Sequence, residues 1–94
     1  MDINKTNLDQ YTKDINSYIF KSIKSHRQEK KYTILDLAAK CDVSAGYLSD
    51  VENGKHSNVS LRFLLKICLA LELNLDELLR ESFQINGFYK GSSK

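Results

Sequence analysis

Residues 33–54, TILDLAAKCDVSAGYLSDVENG, contain two short apolar patterns separated by a brief polar interval. The first pattern has the i, i+3, i+4, i+7 spacing of one helix face and consists of Ile34, Leu37, Ala38 and Cys41. Leu48 and Val51 mark the corresponding face of a second helix. Two short amphipathic helices so close in sequence must pack against each other across a tight turn.

The interval between the two patterns has the features of such a turn. Ala38 is the small residue where the helices approach closely, because a larger side chain would push their axes apart. Asp42 occupies the first turn position, where glycine is usual; its short polar side chain tolerates the left-handed conformation. Spacing, small residue and turn together predict a helix-turn-helix over residues 33–54.

The size of the chain predicts one domain, and the lack of any strand pattern beside its helical patterns predicts that this domain is all-α. Its 94 residues are enough for a single core if nearly all of them fold. Hydrophobic residues make up 41% and charged residues 28%, which is ordinary for a globular chain. No apolar run approaches the ~18 residues of a membrane span, and the N-terminus lacks an apolar signal region. We therefore expect no membrane association and a cytoplasmic location.

The chemistry-bearing residues are too few and too scattered for an enzyme or a metal site. Cys41 and Cys68 both fall on apolar helix faces, so we interpret them as reduced core residues. With two histidines and no close Cys/His cluster, neither zinc nor another cofactor is expected. No Ser/His/Asp, Cys/His or paired-carboxylate arrangement can be assembled, so no catalytic residues are predicted.

Charge is unevenly distributed along the chain, although the net charge is only +2. Residues 21–40 contain six basic and two acidic residues, a balance of +4. Residues 41–60 contain Lys55 against Asp42, Asp50 and Glu52, a balance of −2. The basic segment is either a solvated helix face or, beside a helix-turn-helix, a surface for phosphate.

Apolar spacing and capping residues predict five helices. After a flexible lead over residues 1–7, Asn7 with Gln10 is interpreted as the cap of a long helix from about Leu8 to Glu29, with a break near residue 14 as the alternative. Four later helices are expected at 34–41, 45–53, 61–71 and 75–83. Their caps are Thr33, Ser44, Ser60 and Asn74.

Three further features complete this prediction. Asn74 is expected to form a capping box with Glu77, and Gly54 to end the third helix in the left-handed conformation. The fourth helix, LRFLLKICLAL, is apolar around most of its circumference and is predicted to be the central buried one. Residues 8–83 would form the domain, and residues 84–94 a tail and candidate dimerisation segment.

On these residues, the chain from about 19 to 79 resembles the Cro/cI-type, or XRE-family, helix-turn-helix repressors. The resemblance covers YTILDLAAKCDVSAGYLSDVENGK and NVSLRFLLKICLALELNLDELL. It implies a five-helix lambda-repressor-like DNA-binding domain, here with an extended first helix. It also implies a dimer whose third helix enters the DNA major groove, and an ion pair between Arg27 and Glu52 that ties the first helix to the third.

Candidate DNA-binding residues follow from the resemblance. Those expected to read bases are Ala45, Gly46, Tyr47, Ser49 and Asp50. Family members often carry Gln, Arg, Asn or Ser where this chain has Ala45 and Gly46, so direct readout is thin. Asp50 has an alternative role as a solvated residue or a partner of a nearby lysine. Those expected to contact phosphate are Lys31, Thr33, Ile34, Asn53, Lys55, His56, Asn58 and Ser60.

The chain is therefore predicted to be a sequence-specific double-stranded DNA-binding regulator, a repressor or autoregulator, which binds a palindromic operator as a homodimer. The expected dimer interface consists of Leu75, Leu79, Phe83, Ile85, Phe88 and Tyr89. The alternative for these residues is packing against the first helix near Tyr11 and Ile15. The alternative function is a protein-interaction module with little or no specific DNA binding.

Overall fold

The computed structural model describes residues 5–85, with side chains from residue 7 onward. This part of the chain contains five helices: α1 (Lys5–Glu29), α2 (Ile34–Cys41), α3 (Ala45–Glu52), α4 (Leu61–Leu71) and α5 (Leu75–Ile85). The predicted all-α class and the five helices are confirmed. No helix among the described residues is both long and apolar enough to cross a membrane.

Helix α1 is continuous and begins earlier than the sequence pattern suggested. It starts at Lys5, inside the lead predicted to be flexible, and has no break near residue 14. Asn7 therefore lies within the helix, and its prediction as the cap was wrong. The three-and-four spacing continues without glycine or proline, so nothing in the chain interrupts the backbone hydrogen bonds. Its buried residues, Ile19, Phe20 and Ile23, pack into the core.

Side-chain caps begin the next three helices. The hydroxyls of Thr33, Ser44 and Ser60 accept hydrogen bonds from the backbone N–H groups of Asp36, Tyr47 and Phe63, each at 3.0 Å. The starts of α2, α3 and α4 are therefore where these caps predicted them. Helix α5 begins after Asn74 as expected, but within residues 7–85 no capping-box hydrogen bond joins Asn74 and Glu77. The capping box is instead at Thr33.

Left-handed residues end the helices. Asp42 has φ 55° and ends α2, Glu72 has φ 60° and ends α4, and Gly54 has φ 75° just beyond α3. The predictions for Asp42 and Gly54 are confirmed. At Asp42 the chain turns so sharply that its own N–H and that of Val43 bond back to α2 carbonyls. The corner then closes over Ala38, which is 3% exposed.

The core lies between α1 and the other helices. Its fully buried members include Ile23, Leu37, Leu48, Val51, Ile67 and Leu71. Cys41 and Cys68 are buried and not disulfide-bonded, as predicted, and burial raises the pKa of both thiols.

Helix α4 is not buried all round, contrary to prediction. It buries Phe63, Ile67, Cys68 and Leu71, whereas Leu61, Leu65 and Leu69 are 63%, 45% and 81% exposed. The exposed three recur every fourth residue and so form one stripe on the outer side of the helix. α2, α1 and α5 cover the other sides of α4, and no described element lies over this stripe.

Helix α5 extends two residues further than predicted and packs along α1. The Tyr18 hydroxyl on α1 donates to the Glu81 carboxylate at 3.1 Å, and the buried Ser82 hydroxyl donates to the Ile15 carbonyl at 3.4 Å. Burial, together with the Glu81 bond, raises the pKa of Tyr18. The long first helix is thus held along its middle by the last helix.

Arg27 links α1 to α3 through a buried ion pair. Its Nε and Nη2 donate to the two carboxylate oxygens of Glu52 at 2.7 and 3.0 Å. The remaining Nη1 donates to the backbone carbonyl of Tyr32 at 2.7 Å, in the connection to α2. Arg27 and Glu52 thus form the pair that the family resemblance implied, and the bidentate geometry is the strong kind.

Replacing Glu52 by alanine should destabilise the domain strongly. The change leaves the Arg27 guanidinium buried without its anion, which costs roughly 3 to 5 kcal/mol of unfolding free energy. Urea titration followed by circular dichroism measures this loss. The matched control is Glu29→Ala, since Glu29 is exposed and has only exposed or half-buried charged neighbours, His26 and Lys30; it should change stability by no more than about 0.5 kcal/mol. Equal losses in the two variants would contradict a structural role for the buried pair.

Candidate nucleic-acid interface

Helix α3 has one buried face and one face open to a partner. Leu48, Val51 and Glu52 are buried, while Gly46 is exposed and Ser49 is half-buried. A Cβ built at Gly46 would meet nothing within 4 Å, so packing within the chain does not require glycine there. The first turn of α3 therefore leaves open space at Gly46, whereas Ala45 beside it is half-buried and packs partly against the core.

The ring of Tyr47, which was expected to read bases, is less accessible to a binding partner than its position on α3 suggested. Its ring packs edge-on against Phe63 of α4, with centroids 5.2 Å apart, and lies 4.9 Å from the ring of His56. Tyr47 and His56 thus form one cluster at the junction of α3, the following loop and α4. The ring of Tyr47 contributes to packing, which leaves its hydroxyl as the group available for a polar contact.

Asp50 and Lys55 are partners of each other. The Lys55 ammonium lies 4.0 Å from the Asp50 carboxylate, and the Lys55 N–H donates to the Asp50 carbonyl at 2.9 Å. Both side chains are well exposed, at 68% and 46%, so the ion pair is weak. The alternative considered for Asp50, a partner of a nearby lysine, is the arrangement found.

The N-terminus of α2 is partly occupied by its own chain. The N–H of Thr33, which was expected to contact phosphate, donates to the Asp36 carboxylate at 2.9 Å. That bond holds the pKa of Asp36 below its usual value. The prediction of a free N–H at Thr33 was therefore wrong in this detail, although Thr33 and Asp36 have the spacing that is typical of a capping box. Among residues 7–85, the N–H groups of Ile34 and Leu35 have no hydrogen-bond partner.

The lysines before α2 point to different neighbours. Lys30 forms an ion pair with Glu72 at 2.9 Å, which turns it toward the end of α4. Lys31 has φ 62° and is exposed beside the α2 N-terminus. Of the two, Lys31 is the cation with no ion pair among residues 7–85, and it lies three residues before Ile34 in the chain.

The loop between α3 and α4 brings together the other candidate phosphate ligands: Asn53, Lys55, His56, Asn58 and Ser60. The Asn53 amide donates to the Ser49 hydroxyl at 3.5 Å. Asn16 of α1, which the sequence analysis did not single out, donates to the Ser57 carbonyl at 2.6 Å and ties this loop to α1. Nothing in the spacing of Asn16 marked it, since it is one of several polar residues on α1.

The Arg27–Glu52 ion pair makes the exposed face of α3 less acidic than the charge balance of residues 41–60 suggests. Glu52, one of the three acids counted in residues 41–60, is buried against Arg27. Asp42 lies in the α2–α3 turn, so the acid left on the exposed face of α3 is Asp50. The face of α3 is therefore much less acidic than the local balance suggested. Among the described residues, no group of three or more His, Cys, Asp or Glu side chains could hold a metal ion.

The residues predicted at the dimer interface are only partly described. Leu75, Leu79 and Phe83 are half-buried on α5, and Ile85 is 66% exposed. Ile85, which was predicted to lie in the tail after the last helix, belongs to α5 itself, as does Phe83. Phe88 and Tyr89 lie outside the described residues.

Comparison with known proteins agrees with this architecture. A family model described as Helix-turn-helix (HTH_3) matches residues 23–78. The chain is similar to the HTH-type transcriptional regulator SlrR of Bacillus subtilis (strain 168), with 45% identity over 56 residues. That match covers 60% of this chain and 37% of SlrR, so the chain spans little more than a third of this relative's length.

Two solved structures share the fold. One is the crystal structure of SinR, described as the master regulator for biofilm formation, in complex with DNA. Its TM-score is 0.61 with 38% identity, covering 65% of this chain and 97% of that one. The other is the clp gene regulator ClgR from Corynebacterium glutamicum. Its TM-score is 0.68 with 28% identity, covering 82% and 81%.

The family model spans more than half of the chain and includes the α2–α3 corner, the buried Arg27–Glu52 pair and α4. The relatives it resembles are transcription regulators rather than enzymes. The chain belongs to the XRE-type helix-turn-helix family.

Proposed function

We propose that this chain binds double-stranded DNA as a sequence-specific transcriptional regulator. The observation that carries the proposal is the open face of α3, flanked on one side by the α2 N-terminus and on the other by the loop 53–60. Helix-turn-helix proteins place such a face in the major groove, with the flanking elements on the backbone. SinR, similar over almost its whole resolved chain, was solved with DNA.

The N-terminus of α2 and the loop 53–60 supply the proposed contacts to the DNA backbone. Lys31 and the N–H groups of Ile34 and Leu35 would hold a phosphate on one side of the groove, as helix N-termini do. Lys55, Asn58 and the Ser60 hydroxyl would hold a phosphate on the other. These contacts position α3 without reading sequence.

Base reading would rest on few side chains. Ser49 faces outward, Ala45 can contact a thymine methyl, and Asp50 is engaged by Lys55. With so few readers, part of the specificity would come from the shape and deformability of the operator. A homodimer that binds a palindromic operator would double the contacts, with reading helices about 34 Å apart in successive major grooves. Binding of a homodimer to such an operator is consistent with the role of a repressor or autoregulator, which we propose for this chain.

Selection of bound duplexes from a random pool at physiological salt tests the proposal. We expect an enriched palindrome and an affinity that falls steeply with salt concentration. A protein-interaction module would enrich no sequence, and any residual DNA affinity would be weak. That outcome would favour the interaction function over DNA binding.

Lys55 and Asp50 should have opposite effects on DNA affinity. Lys55→Ala should weaken binding to all sequences about equally and lower the salt slope by about one unit, because one phosphate contact is lost. Asp50→Asn should strengthen binding, because it removes a negative charge that competes for Lys55. Fluorescence anisotropy over a series of salt concentrations measures both effects. A changed base preference in Lys55→Ala with an unchanged slope would refute the phosphate assignment.

Ser49→Ala should change base preference at one operator position, at a cost of about 1 to 3 kcal/mol in discrimination. Ser49 is a half-buried, uncharged polar side chain of α3, and the hydrogen bond that it accepts from Asn53 is long, at 3.5 Å. Selection repeated with the variant measures the change. A binding profile identical to that of the parent would mean that α3 does not read bases through Ser49.

The dimer should dissociate when Ile85 is replaced by aspartate. Ile85 is 66% exposed at the end of α5, and a charge there would oppose burial against a second copy. Sedimentation velocity at several concentrations measures the change. Leu69→Asp is the matched control, because Leu69 is 81% exposed on α4, outside the proposed interface. Dissociation by Leu69→Asp alone would move the interface to the exposed stripe of α4.

A further inference from the structure

A groove runs between α1 and the loop that follows α3. Its α1 side includes Lys13, Ser17, Lys21 and Lys24, and its opposite side includes Asn53, His56 and Asn58. The hydrogen bond from Asn16 to the Ser57 carbonyl crosses its floor at 2.6 Å. The loop side of the groove contains residues already proposed to contact DNA phosphate.

The lysines of this groove form one row. Lys13, Ser17, Lys21 and Lys24 are separated by four, four and three residues, so their side chains lie on one helix face. We call Lys13, Lys21 and Lys24 the α1 lysine row. All three are exposed, and none forms an ion pair with another residue of the described chain.

The acids around the groove offset the charge of the row only at its Lys13 end, where Asp9 and Asp14 also line it. Glu52 lines it but is held by Arg27, at 2.7 Å. Asp14 accepts from the Gln10 amide at 2.9 Å, and Asp9 lies at the outer end of the groove on the first turns of α1. Near Lys21 and Lys24 the lining is therefore cationic, with neutral polar groups from the loop opposite.

We propose that the α1 lysine row contacts the phosphates of the DNA backbone and extends the footprint beyond the helix-turn-helix itself. The inference rests on the proposed DNA-binding function. The row begins next to the loop expected to hold phosphate and continues along α1 for about 16 Å, at 1.5 Å of rise per residue. A DNA strand carries one phosphate per 3.4 Å, so three lysines spread over this length can each meet one.

The lining of the groove favours nucleic acid over a protein helix. A helix that docks in a groove needs apolar anchors, and the lining is largely Lys, Asn, Ser, Gln and Asp, with Leu8 and Phe20 as its apolar members. Unpaired lysines beside amide and hydroxyl donors are the groups that bind phosphate oxygens. The extended α1 thereby acquires a role that the core alone does not require.

The test replaces Lys13, Lys21 and Lys24 by glutamine and measures DNA affinity against salt concentration. We expect the slope of log affinity against log salt to fall by roughly two to three units, since each lost phosphate contact removes about 0.9. The charge-matched control replaces Lys40, Lys66 and Arg80, which lie outside the groove. A second variant with arginine at positions 13, 21 and 24 should keep the parent slope.

Each outcome decides the inference. A fall in slope larger than in the control supports it, and a fall no larger than in the control overturns it while leaving the proposed function intact. A parent chain that binds no duplex even at low salt overturns both. Circular dichroism checks that the variants fold, as expected for the exposed positions 13, 21 and 24.

A cleavage experiment locates the contact. Ser17→Cys places an exposed thiol in the middle of the row, whereas the native Cys41 and Cys68 are buried. An iron chelate attached there should cleave the DNA backbone beyond the base pairs that α3 contacts. The same chelate on Leu69→Cys, outside the groove, should not. No cleavage from position 17 in a complex of parental affinity would overturn the placement of the row on DNA.

Discussion

The geometry of this domain depends on the hydrogen bonds that the guanidinium of Arg27 donates. This guanidinium holds Glu52 at the end of α3 with two hydrogen bonds and the Tyr32 carbonyl before α2 with a third. One side chain of α1 therefore positions both flanks of the helix-turn-helix. The burial of this pair also has an electrostatic effect, because it removes the charge of Glu52 from the face of α3 that we propose to contact DNA.

Several groups expected to hold DNA already have partners within the chain. Asp36 occupies the N–H of Thr33, Asp50 lies near Lys55, and Ser60 caps α4. Such partners keep polar groups satisfied in the unbound domain. A phosphate would compete with the carboxylates of Asp36 and Asp50, whereas the Ser60 hydroxyl, which accepts from the Phe63 N–H, still has its own proton to donate. Of these, the exposed Asp50–Lys55 pair is the cheapest to break, since exposed ion pairs contribute little. Lys55 could therefore exchange the Asp50 carboxylate for a DNA phosphate at little cost in free energy.

Local signals predicted most of the fold. The caps at Thr33, Ser44 and Ser60 act over three residues, and Asp42 and Gly54 act at single positions, so the sequence near each of them was sufficient. Where the outcome depends on which helix covers which face, the sequence was insufficient. The apolar circumference of α4 did not reveal which side faces outward. The start of α1 was also missed, because its polar first turns carry no apolar periodicity.

Sequence patterns also did not indicate the long-range contacts that connect the candidate nucleic-acid interface to the rest of the domain. Asn16 binds the loop after α3, while Ile15 and Tyr18, its neighbours on α1, bind α5. These contacts span 41, 67 and 63 residues of sequence, so no local pattern indicates them. Within one turn, α1 therefore joins the proposed phosphate loop to the helix of the proposed dimer. Because α1 is continuous there, a change in how two copies meet through α5 would move the loop as a rigid unit.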